Sequence, residues 1–337
     1  MSAVDAIAAP LDAGRARVLR VLGPIAPRLL ADRERRVGLT ALVAVATAFL
    51  TTCVAPLWML ALGPIALGVP HLLADVRYLF VRTGLHRRAD VCIAVGGPVL
   101  VGALSGHTNL GLLATFGAAI VGKGALSKRA LAYVLWMALV AGAYACPRAA
   151  LLVLTHGHNL LAVAFFWAWR ARTGRYHWPA LAALVGALAL LASGALDGAV
   201  GRMVAQMAPQ SRVLFEGLVG DLSPVGAPTV ALRLVLAFTF LQSVHYAVWL
   251  RFIPEDDRTR PGLRSFASSM RALEQDVGRP VLLAACVTMA TLVGWALVDL
   301  EAARHAYMRV AGVHAYMELA VLTLLLLEGH LPLRGAS

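Results

Sequence analysis

Ten runs of mostly apolar residues, most of them close to twenty residues long, follow one another between residues 38 and 329, and nothing else in the chain restricts its fold so severely. A helix rises about 1.5 Å per residue, so ~20 residues cross the ~30 Å hydrocarbon layer of a bilayer, where a backbone must satisfy its own hydrogen bonds. The runs lie at 38–54, 57–81, 89–105, 109–122, 130–146, 150–169, 179–196, 228–250, 279–298 and 312–329, the fourth being short for a span. With 60% hydrophobic and 14% charged residues among 337, the chain is too apolar for a water-soluble fold. The expected class is all-α, a polytopic transmembrane bundle of about ten spans in a cell membrane of the bacterial inner type.

The formal charge of +12 would point to nucleic acid in a soluble protein. Here the basic residues sit in short clusters between apolar runs, as loops facing an anionic membrane surface do, and no nucleic-acid partner is expected. The clusters alternate. Arg82, Arg87 and Arg88, then Lys123, Lys128 and Arg129, then Arg170, Arg172 and Arg175, then Arg251, Arg258, Arg260, Arg264 and Arg271, and last Arg334, all fall on one side. The other side receives turns at Pro56, His107 and Pro147, a loop from Asp197 to Ala227, and a short loop with Asp299, Glu301, Arg304 and Arg309. Both termini are thereby expected in the cytoplasm. Three parts follow: a basic N-terminal segment, 1–37, with an interfacial helix interrupted by Pro24 and Pro27; a single bundle, 38–330; and a short cytoplasmic tail, 331–337. Cys53, Cys92, Cys146 and Cys286 are scattered singly, without the paired spacing of a thiolate metal site, and read as apolar fillers.

Polar residues inside the spans carry the functional reading. Spans two, six, eight and ten run in one direction, so their residues can be compared by depth. His71 lies eleven residues from Arg82 and His158 twelve from Arg170, which puts both roughly 17 Å inside and near mid-membrane, with Glu318 at a similar level. His71 and Asp75 are i and i+4 and share a helix face, as do His314 and Glu318. An imidazole bound to a metal commonly donates its second N–H to a carboxylate, which Asp75 can supply. His156 and His158 diverge by about 200° around Gly157, so one of them is expected to point inward. His245 sits beside Gln242, Ser243 and Tyr246 in span eight. A charge at mid-membrane costs about 2.5–3.5 kcal/mol even on lenient scales, so Glu318 must be neutral, paired or bound to a cation. His86, His107, His177, His305 and His330 fall in loops or at span ends and read as solvated; Trp58, Trp167, Trp169, Trp249 and Trp295 read as interfacial belt residues.

Four spans thus bring histidines and two bring carboxylates, a ligand mix that suits non-haem iron, with zinc as an alternative. His71, His156, His158, His245 and His314 are the candidate ligands, and Asp75 and Glu318 the candidate catalytic or supporting acids.

The sequence Gly68-Val-Pro70-His71-Leu-Leu-Ala-Asp75 resembles the first histidine motif, Gly-x-Pro-His-x-x-x-Asp, of the Brp/Blh family of bacterial membrane β-carotene 15,15′-dioxygenases. The likeness covers about eight residues; the family's His-Phe-Gly-x-Ala-Asp motif has no counterpart here. It implies a small multi-span architecture with an iron site that cleaves a lipophilic polyene with O₂. The expected function is an integral membrane metalloprotein, an iron-dependent oxygenase or oxidoreductase acting on a carotenoid, lipid or quinone-like molecule, with membrane lipids as its other partners. A proton-coupled transporter using the buried His and Glu residues, or a membrane scaffold without catalysis, are the alternatives.

Overall fold

The computed structural model describes residues 3–21, 23–25, 30–172, 174–224, 228–259 and 262–330. Pro27, Arg260, Ala227 and the tail 331–337 lie outside the described residues. Within them the chain is 86% helical with no strand. An amphipathic helix, α1 (Ala3–Val21), precedes the first long helix, α2 (Arg33–Val54), which starts five residues before the apolar run because Asp32 caps it, its carboxylate accepting the Arg35 N–H at 2.7 Å. Then come α3 (Pro56–Asp75), α4 (Ala89–Ser105), α5 (Gly111–Val121), α6 (Leu126–Ala145), α7 (Pro147–Trp169) and α8 (Trp178–Ser193). The expected loop at 197–227 is largely helical, as α9 (Asp197–Ala205) and α10 (Pro209–Asp221). The long α11 (Pro228–Ala247), an amphipathic α12 (Phe266–Val277), α13 (Arg279–Val298), α14 (Leu300–Ala311) and α15 (His314–Glu328) complete the chain.

All ten apolar runs are helical, and eight helices among the described residues are long and apolar enough to cross a membrane. The other two, α4 and α5, are shorter. At 11 residues α5 reaches only about 16 Å, roughly half the layer. It packs on α4, α6 and α15, and seven of its residues are buried, so protein covers most of a helix too short to span, with Leu113 and Ile120 left facing outward. Gly117 permits the closest of these approaches, because a Cβ there would collide with the Ala94 carbonyl.

The arginines expected on one side do gather at one end of the bundle. Arg82 and Arg77 pair with Asp276 at 3.1 and 2.6 Å, Arg172 with Asp256 at 2.6 Å and Arg88 with Glu328 at 2.6 Å, while Glu255 meets Arg36, Arg251 and Arg258. Ion pairs between distant loops require those loops to share a face.

The segment 299–311 is not the expected loop but α14, capped by Asp299, and its Arg304 is buried. The reason lies in α3. Pro64 has no N–H for the Leu60 carbonyl four residues earlier, and the Arg304 guanidinium donates to that carbonyl at 3.3 Å. His177 also departs from the solvated reading: it is 1% exposed, against the rings of Phe166 and Trp167. Trp169 and Trp249 are core residues, whereas Trp58 and Trp295 face outward as belt residues do.

Candidate metal centre

Four packed helices build the site: α3 against α11, α11 against α7, and α7 against α15. They bring His71, His245, His158 and His314 together as a closed square of rings. Neighbouring centroids are 4.6 Å apart for His71–His245, 5.2 Å for His245–His158, 5.1 Å for His158–His314 and 5.1 Å for His314–His71. Ligand atoms of His71, His245, His314 and Glu318 all lie within 4.8 Å of one another. Two cis ligands at ~2.1 Å from a metal sit ~3.0 Å apart, and two trans ligands ~4.2 Å. The observed Nε2–Nε2 distance of 3.0 Å between His71 and His245 is therefore a cis separation, and no pair is wider than a trans separation by more than about half an ångström.

The outer nitrogens set the direction of the inner ones. His158 Nδ1 lies 3.3 Å from the Leu154 carbonyl, and His314 Nδ1 faces the Ala311 carbonyl. His71 Nδ1 lies 3.3 Å from Asp75 Oδ1, near enough for an ion pair but at a poorer angle than a hydrogen bond has. An oxygen beside Nδ1 keeps the proton there and leaves Nε2 as a lone pair, so His71 and His314, two of the three imidazoles in the group, present acceptors to the centre, and His158 beside them carries its Nε2 free of a proton as well. Glu318 adds another: its Oε1 is 3.7 Å from His245 Nε2, and its Oε2 is buried with no hydrogen-bond partner among the described residues. No Lys or Arg is found among the described residues lining the adjoining cavity. Converging nitrogen and oxygen lone pairs, buried away from basic side chains, are the donor set that a transition-metal ion satisfies. Three imidazoles and one carboxylate suit iron and zinc alike.

The fifth candidate histidine lies elsewhere. Helix α7 runs unbroken through Gly157, so its two histidines diverge; His156 directs Nε2 to the Leu222 carbonyl at 3.0 Å and packs on Phe238. Asp75 does not reach the group of four ligands and instead backs His71.

Trp249, read from the sequence as a belt residue, is fully buried, and its indole N–H donates to Glu318 Oε1 at 2.9 Å. The available signal was its position, one turn after His245. A π-helical turn, Val248–Phe252, begins beside it, and a second, Val76–Val81, begins directly after Asp75. Such turns hold an extra residue and commonly occur at functional sites.

A cavity of about 820 Å³ opens from the histidine square. Its walls are mainly apolar, from Leu139, Ala143 and Leu151 on α6 and α7, with Gln242, Tyr246 and Tyr307 as polar points. Gly68 is required beneath it, because a Cβ there would overlap the Tyr307 ring. Compared with known proteins, the chain matches no family model, no curated protein and no solved structure.

Proposed function

We propose that this chain is an integral membrane metalloprotein, an iron-dependent oxygenase or oxidoreductase acting on a lipophilic molecule of carotenoid, lipid or quinone type. One observation carries the reading: His71, His245, His314 and Glu318 bring their ligand atoms together beside a large apolar cavity, with the ring of His158 from a fourth helix packed on them. A scaffold gains nothing from concentrating acceptor groups where each costs desolvation.

His71, His245, His314 and Glu318 would hold the metal, with His158 closing the ring of imidazoles. Iron would supply one- and two-electron chemistry with O₂. The chain's own part is positioning. Asp75 orients His71, Trp249 orients Glu318, and the apolar walls seat the substrate while keeping bulk water from the reacting carbon atoms. Gln242 and Tyr246, joined at 3.2 Å, offer hydrogen bonds to a polar end group. The resemblance at Gly68, Pro70, His71 and Asp75 supports a polyene substrate within this class.

Elemental analysis and an optical spectrum of the detergent-purified protein test the proposal. Iron near one equivalent per chain, lost in His71→Ala, is the expected result; folded protein that binds neither iron nor zinc overturns it.

A further inference from the structure

A second cavity, of about 640 Å³, lies at the arginine-rich end of the bundle. It is built differently from the first. Its deep part is apolar: Val69, Leu73 and Ala74 on α3 face Leu282, Ala285 and Met289 on α13. Residues 282, 285, 286 and 289 form an i, i+3, i+4, i+7 stripe that the cavity follows for about 10 Å, and Met289, ten residues beyond the helix start at Arg279, puts its deep end about 15 Å in, roughly one leaflet. Its mouth is cationic. Arg15, Arg36, Arg77, Arg251, Arg258 and Arg264 line it, against one carboxylate among the described residues, Glu255.

The charges around the mouth are unevenly answered. Glu255 is shared by Arg36, Arg251 and Arg258, and Arg77 is neutralised by Asp276. Arg15 donates to the Arg264 carbonyl, and Arg264 donates to the Ser268 carbonyl at 2.6 Å. The nearest acid on α1, Asp12, is turned to the start of α12, where it accepts the Phe266 and Ala267 N–H groups at 2.7 and 3.2 Å. That contact fastens the amphipathic α1 and α12 together over the opening. Guanidinium groups gathered at one end of an apolar slot one leaflet deep match a phosphate joined to a hydrocarbon chain.

We propose that this cavity binds one phosphate-bearing lipid, its head group among Arg15, Arg258 and Arg264 and its chain between α3 and α13. The cavity shares one wall residue, Trp249, with the metal centre but none of its four ligand side chains, and the proposal does not depend on the function proposed there. A surface merely attracting anionic lipid needs the arginines but not the slot; a free-phosphate site needs the mouth but not the stripe on α13.

The test uses the full-length protein, purified in detergent and incubated with dioleoyl phosphatidylglycerol or dioleoyl phosphatidylcholine, with native mass spectrometry counting retained lipid. One phosphatidylglycerol per chain is expected, at least tenfold preferred over phosphatidylcholine and resistant to inorganic phosphate. A guanidinium near a membrane surface is worth about fivefold in anion affinity, so Arg15→Gln with Arg264→Gln should weaken retention about thirtyfold. Ala285→Trp, which fills the deep part and leaves every arginine in place, should abolish it. Thermal melts of both variants verify folding, and metal content, read in parallel, reports on the other site. Equal retention of the two lipids overturns the proposal, as does full retention by Ala285→Trp. Displacement by inorganic phosphate alone overturns the lipid in favour of a free anion.

Discussion

Replacing Trp249 by phenylalanine separates the two things this residue does. It fills core space, fully buried with its ring 5.6 Å from that of Phe165, and it donates the one hydrogen bond Glu318 receives among the described residues. The packing loss is modest: a residual void of roughly 40 Å³ costs about 1 kcal/mol at ~24 cal/mol per Å³. Losing the hydrogen bond adds about 0.6 kcal/mol to destabilisation of the fold, since polar contacts between membrane helices average no more than that. On the proposed function, the effect on metal binding is larger. A hydrogen bond to a charged group contributes about 1.5–3 kcal/mol, which is roughly 13- to 160-fold in an equilibrium constant. Without it Glu318 loses the orientation that would aim its carboxylate at the proposed metal. Outer partners of metal ligands typically cost about 10–100-fold when removed, in the same range. Chelator competition at a temperature well below the melting transition measures the affinity, and a melt of the metal-free protein measures the packing term. A few degrees' loss of Tm with at least tenfold weaker metal binding is expected. A variant that melts lower but holds metal within twofold of the parent would refute the reasoning, leaving Trp249 as a core residue only.

Three more outcomes follow from the geometry. His245→Ala should lose the metal as His71→Ala does, whereas His156→Ala should keep it, because His156 faces the Leu222 carbonyl; metal content of the three variants side by side checks this. Arg304→Leu should destabilise the fold by about 1–3 kcal/mol through the orphaned Leu60 carbonyl, and less in a Pro64→Ala background, where the helix supplies its own donor; thermal melts of the double-mutant cycle measure the difference. Ala143→Trp should block the cavity while leaving metal content unchanged, so turnover of a lipophilic substrate should fall at least tenfold without loss of iron.

The spans were legible because length and apolarity are local properties, and helix rise with the alternation of arginines was enough to expect His71, His158 and Glu318 at a common level. Adjacency was not. Nothing in a single sequence says that α3 packs on α11 or that α7 packs on α15, and the square of histidines exists only through those contacts. Trp249 was hidden by its own chemistry, since an indole near a span end has an ordinary explanation at the membrane surface. The π turn after His245 carries no residue signature, yet it begins where the tryptophan reaches Glu318. Arg304 was misplaced for a related reason: the proline that frees the Leu60 carbonyl is about 240 residues away in the chain. The segments 197–221 and 299–311 form helices because docking on α11 and α3 supplies what their own sparse apolar residues do not.

Helix α6 has no buried residue, yet it forms one wall of the larger cavity through Trp136, Leu139, Ala143 and Tyr144. Lipid tails cover its outer side, so a molecule passing it exchanges one oily solvent for another. The roughly 25 cal/mol per Å² that drives apolar ligands out of water has by then been released on dissolving in the bilayer, and it selects nothing at the cavity. Discrimination falls to shape, to the polar points at Gln242, Tyr246 and Tyr307, and to whatever the histidines hold. The quantity that sets occupancy is the mole fraction of the molecule in the surrounding leaflet, so apparent affinity should scale with the lipid-to-protein ratio and hardly at all with aqueous volume.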